Sequence, residues 1–116
     1  MKKIVILGST GSIGSSLLNI IKKDKSKFKI ELLTINKNYK KLLKQIKIFN
    51  VQNIIVTDMK SYLITKKLLN KKNINIYQNF ESIKKILKNK KIDYVMSAIS
   101  GFEGLKPTLD IIEFTK

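Results

Sequence analysis

Short apolar runs alternate along this chain with longer stretches of helical period. The runs are Ile4 to Leu7, Ile30 to Ile35, Asn53 to Thr57, Ile74 to Tyr77 and Tyr94 to Ile99. Each is short, mostly apolar and followed by a polar residue or glycine, so each is expected to be a strand. Between the first two, Ile13, Leu17, Ile20 and Ile21 share one helical face, and between the next two, Tyr39, Leu42, Leu43, Ile46 and Phe49 do the same. Shorter and noisier helices are expected over Ser61 to Leu69 and Glu81 to Leu87. Pro107 suits the first turn of a last helix that Thr108 to Phe114 would continue.

Strands alternating with helices make β-α-β units on a parallel sheet. With 116 residues, 43% of them hydrophobic, the chain can bury one core, and a single α/β domain follows. No Pro/Gly/Ser linker, low-complexity tract or short-period repeat interrupts the series. The charged Met1-Lys2-Lys3 start resembles a signal peptide's first residues, but Gly8-Ser9-Thr10-Gly11 breaks the apolar run behind it too early for an h-region or a membrane span.

Composition removes several chemistries. Cysteine and histidine are both absent, which excludes disulfides, thiolate metal sites, a cysteine nucleophile and the commonest general base near neutral pH. A metal would have to sit on carboxylates, and these are few and scattered. The net charge of +16 would suit a nucleic-acid partner. Against that, every basic residue is lysine, whereas arginine suits bidentate recognition of phosphates and bases, and the lysines fall on the polar faces of several helices instead of in one stripe. They are expected to be solvated surface, with neither a nucleic-acid nor a membrane partner.

Three segments carry candidate chemistry. Gly8-Ser9-Thr10-Gly11-Ser12-Ile13-Gly14 lies directly between the first strand and the first helix. Glycines there allow a tight turn, close approach of backbone N–H groups to a pyrophosphate, and helix-to-strand packing, while the helix N-terminus adds positive potential. The hydroxyls of Ser9, Thr10 and Ser12 are expected to add donors. The G-x-x-G-x-x-G spacing alone would also fit an ordinary β-α turn; its position is what favours a dinucleotide.

The second segment is Thr34-Ile35-Asn36-Lys37-Asn38 at the end of the second strand. A carboxylate there would hold the ribose 2′-hydroxyl of NAD, and none is present. Lys37, with Asn36 and Asn38, instead offers a cation and neutral donors to a 2′-phosphate, which favours NADP(H) unless Lys37 is simply one more surface lysine. The third segment runs from Met96-Ser97-Ala98-Ile99-Ser100-Gly101 to Gly104-Leu105-Lys106-Pro107-Thr108-Leu109. Small residues at a strand's carboxyl end let a flat ring lie against the backbone.

Taken together, an ILGSTGSIG opening, a Lys37-Asn38 pair and the A-I-x-G…G-L-x-P-T-L element resemble the start of the 1-deoxy-D-xylulose 5-phosphate reductoisomerase family, from Ile6 through Lys116. Members use NADPH and a divalent metal, Mg or Mn, to convert 1-deoxy-D-xylulose 5-phosphate to 2-C-methyl-D-erythritol 4-phosphate in isoprenoid biosynthesis. The resemblance implies that Thr10, Gly11, Ser12 and Ile13 bind the cofactor's pyrophosphate region and that Lys37 and Asn38, beside Asn36, face the adenosine ribose phosphate. Asn36 is a departure, because the family commonly has glycine before the Lys-Asn pair.

The resemblance further implies a Rossmann-like doubly wound parallel sheet over residues 1–116, truncated at its C-terminal end. Metal ligands, substrate-phosphate residues and a lid would all lie beyond Lys116. The chain by itself is therefore expected to hold no catalytic and no metal-binding residue and to be inactive, while the whole protein would be a cytoplasmic homodimer acting on a small-molecule substrate. Another NADP-binding Rossmann protein, either an extended short-chain dehydrogenase or a non-catalytic NADP sensor, is the alternative.

Overall fold

The computed structural model describes residues 1–98, so the end of the fifth run, the third candidate segment from Ile99 onward and the expected helix from Pro107 lie outside the described residues. The elements are β1 (Lys2–Leu7), α1 (Ser12–Lys22), a 3-10 turn (Lys25–Lys27), β2 (Phe28–Ile35), α2 (Tyr39–Phe49), β3 (Asn53–Val56), α3 (Met59–Leu68), β4 (Asn75–Tyr77), α4 (Ser82–Ile86) and β5 (Tyr94–Ser97). Every expected strand is present within two residues of its anticipated start. The turn at Lys25–Lys27 was not foreseeable from periodicity, since no apolar spacing marks it.

All pairings are parallel and the strand order is β4-β3-β2-β1-β5. The chain winds outward from β1 through β4, then crosses back to lay β5 on the other side of β1. Parallel strands covered on both faces must be apolar throughout. Ile4, Val5, Ile6 and Leu7 of β1 are accordingly all fully buried, each worth roughly 1.5–3 kcal/mol of transfer free energy before entropy is counted.

Alternation along β1 divides the core in two. Ile4 and Ile6 point into a cluster with Leu18 and Ile21 of α1, Leu42 and Ile46 of α2 and Tyr62 of α3. Val5 and Leu7 point the other way, against Ile83 and Ile86 of α4. The sheet is thus doubly wound.

Two positions depart from expectation. The buried stripe of α1 is Gly14, Leu18 and Ile21, while Ile13 and Ile20 are each 64% exposed. Glycine takes the innermost position, which draws the helix close to the sheet and turns the two isoleucines outward. The second is Glu31, which is 3% exposed in mid-strand. The β1–β2 register slips there, Ile4 pairing with Ile30 but Val5 with Leu32, so β2 carries one extra residue. Lys90 Nζ at 3.0 Å and Lys29 Nζ at 3.5 Å neutralise the carboxylate.

Candidate functional site

A cleft of about 570 Å³ opens over the carboxyl ends of the strands, lined by Gly8, Thr10, Gly11, Thr34, Ile35, Asn36, Thr57, Phe80 and Ala98. Those residues follow β1, end or follow β2 and β3, precede α4 and follow β5. The cleft therefore sits where the strand order reverses, the place at which open α/β sheets take ligands.

The glycine turn is built from distinct requirements. Gly8 has φ 79°, a left-handed conformation that side chains resist. Its N–H donates to the Thr34 carbonyl at 2.9 Å and to Thr34 Oγ1 at 3.1 Å, and the Ser9 N–H donates to the same carbonyl at 3.0 Å. A Cβ at Gly14 would fall on the Gly8 carbonyl oxygen and stand 2.7 Å from Ser9 Cα, so this glycine lets α1 touch the turn. Gly11 differs: its φ of −73° is ordinary, and among the described residues a Cβ there would meet only Gly8 O, at 3.9 Å.

Contrary to expectation, Ser9 offers the cleft no donor. It is fully buried, its hydroxyl donating to Gln45 Oε1 at 2.8 Å while Gln45 Nε2 donates to the Ser9 carbonyl at 2.9 Å. The remaining N–H groups of the turn are the useful ones. Helix α1 begins at Ser12 with no side-chain cap, whereas the Asn38 side chain caps α2 at Lys41 N and Asp58 caps α3 at Ser61 N. The first-turn N–H groups of α1 have no intrahelical partner, and no acidic side chain stands in its first turn. An uncapped, electropositive helix end facing a cleft suits an anion.

At the other end, the segment after β3 pins the loop after β2. Thr57 N donates to the Ile35 carbonyl at 3.0 Å, Asp58 N to the Asn36 carbonyl at 3.3 Å, and Ser61 Oγ to the Lys37 carbonyl at 3.2 Å. Three successive carbonyls are thereby occupied by donors of the following segment. Asn36 lines it without adopting a positive φ, so the replacement of the family's usual glycine carries no backbone strain here. The Ser61 N–H, then its hydroxyl, hold the Asp58 carboxyl below its ordinary value of 3.8, with Lys37 and Lys60 adding to the effect.

Of the anticipated residues, Thr10, Gly11 and Asn36 line the cleft. Ser12 and Ile13 are exposed on the first turn of α1, and Lys37 and Asn38 are exposed just beyond Asn36. Gly8, Thr34, Ile35, Thr57, Phe80 and Ala98 complete the lining among the described residues. Thr34 and Ala98 fall within the second and third candidate segments, and Thr57 could have been found as the polar residue ending an apolar run; Phe80 had no such signal, since the crossover to β5 brings it in. Among the described residues no three His, Cys, Asp or Glu side chains converge, and no helix is long and apolar enough to cross a membrane.

The sequence profile of the 1-deoxy-D-xylulose 5-phosphate reductoisomerase family matches residues 4–116. The chain belongs to that family. It is 68% identical, over its whole length, to the 1-deoxy-D-xylulose 5-phosphate reductoisomerase of Pelagibacter ubique and spans 30% of that protein. For the enzyme of Thermodesulfovibrio yellowstonii the identity is 42%, across 97% of this chain and 29% of the relative. A solved reductoisomerase from Zymomonas mobilis in complex with NADPH superposes with a TM-score of 0.84 at 30% identity, covering 96% of this chain and 29% of that one. A reductoisomerase complex with NADPH, fosmidomycin and magnesium gives 0.83 at 30% identity over 94% of this chain and 27% of that one. The chain thus spans about 30% of the length of the reductoisomerases it matches, at their N-terminal end.

Proposed function

We propose that this chain is the NADPH-binding part of a reductoisomerase that converts 1-deoxy-D-xylulose 5-phosphate to 2-C-methyl-D-erythritol 4-phosphate. The observation that carries the reading is Gly11. Its conformation is open to any residue and its neighbours among the described residues leave room for a side chain, yet it is a glycine, at an uncapped helix end lining the cleft. A ligand that must touch the backbone supplies the missing reason.

In this reading the pyrophosphate rests on the N–H groups at the start of α1, between Thr10 and Ile13. Asn36, Lys37 and Asn38 take the adenosine ribose and its 2′-phosphate, Lys37 by charge and the asparagines by neutral donors. Ile13, apolar and turned out of the core, covers one side of the bound cofactor. When bound, NADPH supplies the hydride for the reductive step; this chain's residues bind and orient it.

Metal and substrate binding belong to residues outside this chain. In its described part Glu31 is taken up by lysines, Asp58 by Ser61 and Asp93 by the Lys3 N–H. The isolated chain therefore binds NADPH without turning over substrate, and the whole enzyme acts as a cytoplasmic homodimer.

Calorimetric titration of the chain with NADPH and NADH tests this. NADPH should bind more tightly, and Lys37→Ala should weaken it by about 1 kcal/mol, the scale of a partly exposed charge contact. Equal affinity for the two nucleotides, or an unchanged Lys37→Ala variant, would overturn the cofactor assignment. Metal-dependent NADPH oxidation with 1-deoxy-D-xylulose 5-phosphate by the purified chain would overturn the division of labour.

A further inference from the structure

Asn36 brings to the adenosine end of the cleft a side chain that a glycine lacks, and which of its amide atoms faces the ligand decides what it can bind. Thr57 Oγ1 lies 3.1 Å from Asn36 Oδ1 and 3.3 Å from the Ile35 carbonyl, and a hydroxyl has one proton to give. If that proton goes to Ile35, the amide can turn over, donate Nδ2 to Thr57 and present its oxygen to the cleft. That oxygen would accept from a 2′-hydroxyl and repel a 2′-phosphate. If the proton goes to Asn36, Oδ1 is held against Thr57 and Nδ2 is left as a donor.

The surroundings favour the second arrangement. The Ile35 carbonyl already accepts the Thr57 N–H at 3.0 Å, and the hydroxyl's contact with it is the longer of the two. The Asn36 carbonyl is fixed by Asp58 N–H at 3.3 Å, so the residue's backbone is anchored while its side chain stays exposed at the cleft. Lys37 follows directly, which places a cation beside the free amide donor.

Resting on the dinucleotide reading above, we infer that Thr57 is a positioning residue for cofactor choice: its hydroxyl holds Asn36 so that Nδ2 donates to the adenosine 2′-phosphate. The contact distinguishes NADPH from NADH because NADH has no phosphate there to accept it. Thr57 acts through Asn36, so its contribution exists only while Asn36 is present.

A double-mutant cycle on the full chain tests this, with NADPH and NADH titrated calorimetrically against the parent, Thr57→Val, Asn36→Gly and the double variant. Valine keeps the branched shape and removes the hydroxyl. Thr57→Val should weaken NADPH by about tenfold, as expected for one hydrogen bond to a charged group, and NADH by much less. In the Asn36→Gly background Thr57→Val should cost nothing further, and Thr57→Ser in the parent should restore the preference. Equal NADPH losses from Thr57→Val in both backgrounds, equal losses for the two nucleotides, or no loss at all would each overturn the inference while leaving NADPH binding intact. A parent chain that binds neither nucleotide would instead overturn the dinucleotide reading, and this inference with it.

Discussion

Ser9 and Gln45 hold each other through two buried hydrogen bonds, the hydroxyl donating to Oε1 at 2.8 Å and Nε2 donating back to the Ser9 carbonyl at 2.9 Å. The pair fastens α2 to the glycine turn from beneath, so a residue on the second helix sets the position of the first helix's N-terminus. Gln45→Leu would fill similar volume but leave both Ser9 groups without partners. A loss of about 1–3 kcal/mol is expected for buried polar groups stripped of their bonds. The shift of the urea midpoint measures it, and a midpoint at or above the parent's would show that the pair contributes nothing.

The glycines at 11 and 14 should separate binding from folding. Gly14→Ala forces a methyl onto the Gly8 carbonyl and Ser9 backbone, an overpacking that costs about 1–3 kcal/mol. Gly11→Val meets no such obstacle among the described residues and should leave the thermal midpoint nearly unchanged while abolishing NADPH uptake. Circular dichroism melts and calorimetry on the two variants should give opposite rankings; a Gly11→Val chain that still takes up NADPH normally would place the phosphates elsewhere.

Lys90→Met should destabilise the domain, because it removes the nearer of two cations from a buried carboxylate. Lys90 keeps a third of its side chain exposed and Lys29 remains, so about 1–2 kcal/mol is expected, less than for a fully buried pair. Adding Glu31→Leu should return much of the loss, since the stranded charge is then gone. Chemical denaturation of the single and double variants gives the comparison, and additive losses would argue against the pair.

Asp58 should contribute to the acid limb of stability. Its folded pKa lies below the ordinary 3.8, so the unfolded chain takes up the proton first. The contribution is fully present above 3.8 and disappears as pH falls through the folded value. Asp58→Asn keeps an oxygen for the Ser61 N–H but never ionises. The stability gap between parent and variant should therefore be widest near neutral pH and close in acid; a gap independent of pH would remove the carboxylate's charge from the account.

Strands and their parallel pairing were legible in the sequence because buried parallel strands are continuous apolar runs. Runs such as Ile4 to Leu7 and Ile54 to Val56 have no other soluble use in an alternating chain. The face of α1 was misread for a related reason. Hydrophobicity ranks Ile13 and Ile20 as inward, but closeness to the turn requires Gly14 at the contact, and a glycine carries no weight in an apolar pattern. Ser9, Gln45 and Thr57 act through partners 21 to 36 positions away, and such pairings appear only when the sheet has been assembled. Thr10, Gly11 and Asn36 were readable because their chemistry is local to strand ends, where a β-α series exposes its loops.

Placing the first strand beside the fifth has a cost in time. β1 finds β2 across a short local unit, but its other neighbour is β5, whose approach is marked by Lys3 N–H donating to Asp93, 90 positions along the chain. Closing so long a loop adds little to the equilibrium free energy and much to the search. As the chain emerges during synthesis, β1 through β4 can pair in turn while one flank of β1 stays bare. Those exposed backbone groups belong to a strand whose Ile4 to Leu7 are all buried in the folded domain, and they wait for a partner made after β2, β3 and β4, so this window for misassembly closes only when β5 docks.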